Sequence, residues 1–214
     1  MPLFLDAIEV RVLGALLEKD LTTPEYYPLS LNALVNACNQ KSNRDPAVSY
    51  EDETVEAAIG SLRSKGLALV TTGPGVRVPK YSHRLGETLN FGRRELAIIC
   101  ELMLRGPQTL GELRTRTERM HRFDDLSEVE SVLNRLAERE PDPLAVRLAR
   151  QPGEKEARYA HLLSGEPPSV SAPGAAEPTP RIDRISALEQ SLQQLRDELA
   201  DLKQKFEEFR RNFE

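Results

Sequence analysis

Three sets of side chains in this chain have the chemistry to touch nucleic acid. Asn39, Gln40, Lys41, Ser42, Asn43 and Arg44 run consecutively and combine cations with amides. Those types hydrogen-bond phosphates and base edges. Arg114, Arg116, Arg119, His121 and Arg122 cluster with only Glu118 opposing them. Arg77, Lys80, Arg147, Arg150, Lys155 and Arg158 fall on two predicted hairpins. Each set suits phosphate contact, and each also has the composition of an ordinary solvated face.

Other chemistry is missing from the pattern. No glycine-rich loop is placed to cradle a phosphate, and no Cys/His cluster has metal-ligand spacing. His83, His121 and His161 are scattered. Cys38 and Cys100 sit in apolar helical contexts and read as small core hydrophobes, with no disulfide framework. Asp124 and Asp125 stand before a predicted helix, where acids favour the helix dipole. No enzyme, cofactor or metal site is expected. The net charge of -5 excludes a globally basic nucleic-acid binder. No apolar run is long enough for a membrane span. The acids Asp6 and Glu9 interrupt any secretory signal, so a cytoplasmic protein is expected.

The elements that must hold these residues can be read from spacing. Ile8, Val12, Leu13, Leu16 and Leu17 form one helical stripe, started by Asp6 with Glu9 three positions on. A second helix begins at Ser30. A third runs from about Asp52 to Lys65 and buries Val55, Ala58, Ile59 and Leu62, with Gly66 after it. Strands at 67–71 and 76–81 flank a Gly73-Pro74-Gly75 turn. The order then repeats. A helix covers Glu95 to Leu104. Thr109 with Glu112, and Ser127 with Glu130, fit capping boxes for two more. Val129, Val132, Leu133 and Leu136 repeat the core spacing of the earlier third helix. A second hairpin pairs 144–150 with 158–162. Tyr81-Ser82-His83 and Tyr159-Ala160-His161 end the hairpins alike. Three helices and a hairpin, twice, is the order of tandem winged helices.

The third helices are poor base readers on this pattern. Asp52, Glu53 and Glu56 lie early in one and Glu128 and Glu130 in the other, where phosphates would repel them. Residues 164–180 are rich in Pro, Ser and Ala and read as a disordered linker. Beyond them, Ile185, Leu188, Leu192, Leu195, Leu199, Leu202, Phe206 and Phe209 alternate spacings of three and four, the seam of a coiled coil. The alternative is an amphipathic helix that folds back on its own domains.

Long strings also look familiar. LTTPEYYPLSLNAL at 21–34, ACNQKSNR at 37–44, Lys80-Tyr81, His83-Arg84, RGPQT at 105–109, GELR at 111–114 and Arg158-Tyr159 closely resemble the YceH-like family of uncharacterised bacterial proteins. The resemblance covers about residues 5–163 and implies a tandem winged-helix fold, with no activity attached.

The expectation is therefore a mainly α protein with small β-hairpins, of the α+β class. Residues 1–89 form one winged-helix domain and 90–163 a second, followed by the linker and a coiled-coil helix at 181–214. The expected role is DNA-associated or transcription-regulatory, as a homodimer through the tail. The alternative is a protein-interaction scaffold like the ScpB-type subunits of chromosome-condensing complexes. Candidate nucleic-acid contacts are Asn39, Lys41, Asn43, Arg44, Arg77, Lys80, Arg114, Arg116, Arg119, Arg122, Arg150 and Lys155. In light scattering, the full chain is expected at twice the monomer mass and a chain ending at Gly165 at the monomer mass. Equal oligomeric states would remove the tail as the dimerising element.

Overall fold

The first helix starts from its own side chains. The Asp6 carboxylate accepts from the N–H groups of Ile8 and Glu9, and the Glu9 carboxylate accepts from the Asp6 N–H, a complete capping box. α1 then runs Ala7–Thr22. The Ser30 hydroxyl accepts from Ala33 N–H and starts α2, Leu31–Cys38. α3 spans Asp52–Ser64, and Gly66 at φ +72° turns the chain out of it. β1 (Ala68–Thr71) and β2 (Lys80–His83) pair antiparallel, with Ala68 opposite His83. The computed structural model describes residues 3–73, 77–150 and 153–167, all within one compact unit. The tips of both hairpin turns, most of the linker and the coiled-coil seam from Ile185 to Phe209 lie outside the described residues.

A short helix, α4 (Leu85–Leu89), ends at Asn90 in the left-handed region and leads into the second half. There α5 (Arg93–Arg105) is closed by Gly106 at φ +71°. α6 (Leu110–Arg116) carries the capping box of Thr109 and Glu112. A 3-10 turn, Thr117–Arg119, follows, then α7 (Leu126–Ala137). β3 (Ala145–Arg147) and β4 (Tyr159–His161) pair with Ala145 opposite His161. The described residues thus make a mixed α/β fold of seven α-helices and two antiparallel strand pairs.

The halves repeat down to single hydrogen bonds. Leu29 and Tyr81 exchange two backbone bonds of 3.0 and 2.7 Å, and Gln108 and Tyr159 exchange two of the same lengths. In both halves the residue before the second helix's cap is thereby tied to the returning strand. This explains where the sequence expectation slipped. The returning strand of the first hairpin is centred on Tyr81-Ser82-His83 because Tyr81 must pair on two sides, so β2 lies later than the expected 76–81. The predicted Ser127–Glu130 box is also replaced. Asp125 is the cap, accepting from Glu128 N–H at 2.9 Å, while the Ser127 hydroxyl donates to Asp125 at 2.6 Å. A carboxylate two residues upstream offers the first free amides a charged acceptor, and the helix begins there.

α1 and α5 differ from ordinary surface helices. Every residue from Glu9 to Glu18 is buried, and so is every residue from Glu95 to Leu104. A helix buried on all sides is the middle of a core. Both halves accordingly share one continuous hydrophobic core. The two helices touch at Gly14, where an added Cβ would stand 3.3 Å from Met103 Cβ and 2.9 Å from Leu104 Cδ2.

Gly14→Val should therefore destabilise the chain by about 1–3 kcal/mol through overpacking. Gly60, on the exposed face of α3 with nothing within 4 Å of its position, is the control. Gly60→Ala should stabilise by about 0.5–1 kcal/mol. Urea midpoints of the two variants should move in opposite directions from the wild type.

Candidate nucleic-acid interface

The run from Asn39 to Arg44 faces solvent only in part: Lys41 and Ser42 are exposed, and Asn39, Gln40 and Asn43 are half-buried. Arg44 is 5% exposed. Its guanidinium donates to both oxygens of Glu18 on α1, at 3.1 and 2.6 Å, and to the Ala37 carbonyl at 3.2 and 2.8 Å. It therefore closes the C-terminal end of α2 while neutralising a buried acid. Asn43 sits at φ +54°, a conformation asparagine tolerates. Its amide donates to Glu18 Oε1 at 3.1 Å and to Glu101 Oε1 on α5 at 2.9 Å. Asn39 donates to the Tyr50 carbonyl and accepts from the Tyr50 N–H, both at 2.8 Å. Asn39, Asn43 and Arg44 are thus withdrawn from the set of candidate contacts. For Asn43 and Arg44 the physical reason is that α1 and α5 bury carboxylates which need partners, and this loop supplies them; Asn39 is instead held by the Tyr50 backbone. Lys41 alone of the four nominated residues stays exposed.

The buried acids titrate differently. Burial would raise the Glu18 carboxyl, but the hydrogen bonds and charge of Arg44 outweigh it and hold it below the usual range. Glu101 is 0% exposed and gains only the Asn43 bond. Burial pushes its carboxyl up to about 7, helped by the nearby charge of Glu18.

In the second half the basic residues divide. Arg116 is engaged inside, donating to Gln108 Oε1 at 2.6 Å and to Glu112 at 3.3 Å, while Gln108 donates to the Glu101 carbonyl at 2.9 Å. Arg116 positions α6 against α5 and also leaves the candidate set. Arg158 is held by Glu112 and Glu154. Arg114, Arg119 and Arg122 are exposed. Arg114 and Arg122 line a cavity of about 420 Å³ together with Glu118, and Leu126 borders it. Arg147, Arg150 and Lys155, with Glu130 and Glu156 among them, line another of about 470 Å³, between α6, α7 and the second hairpin, also bordered by Leu126. The first residue of α7 therefore stands between two cation-lined hollows. In the sequence Arg147 is one hairpin cation among six; its place opposite α7 depends on the fold.

The acids at the start of α7 are largely occupied. Asp125 caps the helix, and Glu128 accepts from Asp124 N–H at 3.0 Å and pairs with Arg94 at 2.8 Å. The repulsion expected from Glu128 is reduced accordingly. In the first half, Glu51, Asp52, Glu53 and Glu56 are all exposed, and that face is acidic. Arg77 is exposed and Lys80 half-buried on the first hairpin, in the other half from the two hollows.

The histidines and cysteines have no shared site. His83 accepts from Leu85 N–H through Nδ1 at 3.2 Å and meets Asp20 through Nε2 at 3.1 Å. Burial pushes His161 down to about 4. Cys38 and Cys100 are free and buried, and burial raises the Cys38 thiol to about 12. Among the described residues no group of three or more His, Cys, Asp or Glu is arranged to hold a metal. No described helix is long and apolar enough to cross a membrane.

Residues 5–154 match the family described as "Protein of unknown function, DUF480". The chain belongs to the DUF480 family. Its similarity to curated relatives extends over nearly the whole length. A UPF0502 protein of Solibacter usitatus is 55% identical over 98% of both chains. One of Pelobacter propionicus is 54% identical over 100% of both. One of Aeromonas hydrophila is 48% identical over 93% of this chain and 94% of its own. The YceH-like resemblance drawn from the strings at 21–44 and 105–114 is borne out.

Glu101 makes a pH test of the loop that joins the halves. Its folded value of about 7 exceeds the ordinary 4.5. Between those values the folded state keeps a proton that the unfolded state has released, so its contribution to stability declines as pH rises through 7. Glu101→Gln keeps an acceptor for Asn43 without the charge. The variant should match the wild type near pH 4 and become more stable by about 1–3 kcal/mol at pH 8. Paired denaturation curves across that range give the difference directly.

Proposed function

We propose that each half is a winged helix and that the chain is a DNA-associated, transcription-regulatory protein without enzymatic activity. The repeated order of helices and hairpin supports the fold assignment, as does the third strand-like pairing at Leu29–Tyr81 and Gln108–Tyr159. In such a fold the last helix enters the major groove by its N-terminal end while neighbouring cations hold phosphates. One observation carries the DNA assignment. Arg114 and Arg122 lie on one side of the start of α7, and Arg147, Arg150 and Lys155 lie on the other. The second half is then the DNA-binding half, with Arg119 beside it and Lys41, Arg77 and Lys80 outside the main contact.

A second reading rests on the first half. Its exposed acids on α3 suit a protein partner better than a phosphate backbone, which favours a scaffold role of the ScpB type. Pairing of tails through Ile185 to Phe209 remains part of the proposal. It would bring two DNA-binding halves into one particle and raise apparent affinity.

Titrating the full chain with labelled duplex DNA at low salt tests the leading reading. Binding is expected, falling steeply as salt rises. Replacing Arg114, Arg150 and Lys155 together by Ala should weaken binding to every duplex tenfold or more, by about the same factor, and reduce the salt slope by about 3. Absence of binding at low salt, or a triple variant that binds as well as the wild type, would transfer the assignment to the scaffold reading.

A further inference from the structure

We propose that Leu126 and Glu130 form a base-reading pair, Leu126 against the 5-methyl group of a thymine and Glu130 on the exocyclic amine of a neighbouring cytosine or adenine. This rests on the DNA interface proposed above and adds which bases that interface recognises.

Leu126 is 42% exposed, one of the few large apolar side chains left in water. It opens α7 and borders both cation-lined hollows. Glu130 stands four residues on, on the same helix face, and lines the hollow that holds Arg147, Arg150 and Lys155. Unlike Asp125 and Glu128, Glu130 has no role in capping the helix and no salt bridge within 4 Å among the described residues. Once phosphates take up the cations that share its hollow, the half-buried Glu130 carboxylate is favoured only where a donor meets it. The major groove offers such donors as cytosine N4 and adenine N6 amines, and it offers an apolar contact only at the thymine methyl. The two linings set five cations against Glu118, Glu130 and Glu156, and cations on both sides of the reading face favour duplex DNA over an acidic protein surface of no fixed spacing. With the core spacing of the two third helices aligned, Val55 on Val129, the first half places Asp52 where Leu126 stands and Glu56 where Glu130 stands. Only the second half therefore carries an apolar reader. The carboxylate also acts against wrong partners, since a base edge that presents an acceptor there leaves both groups unpaired.

Duplexes selected by the full chain from a random pool provide the test. Anisotropy titrations then compare each selected thymine with deoxyuridine, which differs only by the methyl group. Loss of that methyl should weaken wild-type binding about fourfold and leave Leu126→Ala unaffected. Glu130→Ala should flatten the preference at the neighbouring base by about tenfold while binding mismatched duplexes at least as well as the wild type. Circular dichroism confirms that these surface variants are folded. Salt-dependent binding without a selected sequence, or equal affinity for thymine and deoxyuridine, overturns the pair and leaves the DNA interface standing. No binding to any duplex at low salt overturns the interface and the pair with it.

Discussion

α1 and α5 lie against each other at Gly14, and the rest of the body is arranged around that contact. Two helices buried on every side leave no free face for charge, yet each carries acids. Each acid meets a partner from a different part of the chain, although Glu101 is answered through one oxygen only. Glu9 meets Lys65 at 2.6 Å, Glu18 meets Arg44, Glu95 meets Arg135 at 2.7 Å, and Glu101 receives Asn43. Arg11 donates to the Pro46 carbonyl at 2.6 Å. Where both partners are buried, as in Glu18 and Arg44, losing one leaves the other charge in a low-dielectric interior, which typically costs about 3–5 kcal/mol. The polar residues around the core are therefore structural before they are anything else.

This constraint closes the two halves on each other. The loop after α2 reaches across, with Asp45 N–H donating to the Leu104 carbonyl at 2.9 Å. At the other end, Leu5 N–H donates to the Leu163 carbonyl at 2.7 Å, so the start of the chain is fastened to the end of the second hairpin. The matching faces of the two halves are held in one body and cannot reorient independently as beads on a tether would. Their charges differ: α3 opens on exposed acids alone, while the start of α7 has cations on both sides among acids of its own. A net charge of -5 averages the two and hides both.

The repeat divided labour between residues of similar type. Arg114 and Arg116 are two positions apart on α6, yet one is exposed and the other is bonded to Gln108. Their side chains leave the helix about 200° apart, so one points to water and the other toward α5. The same holds for Lys41 and Arg44, which belong to a single hydrophilic run but lie on opposite sides of the loop.

Features that depend on neighbours within a few positions can be read from the chain directly. The caps at Asp6, Ser30 and Thr109, the stop at Gly66, the inward residues of α3 and α7 and the twofold repeat of elements were all legible, because caps and helix periods are local. The burial of Cys38 and Cys100 followed from the same stripes. Long-range packing fixes that the two halves share a core, that Arg44 is buried with Asn39 and Asn43 engaged beside it, and that Arg147 joins Arg150 and Lys155 beside Leu126. None of these could be read locally. A polar side chain is chemically the same whether it meets water, a phosphate or a buried carboxylate, and Glu18 and Glu101 become buried only when α1 packs on α5.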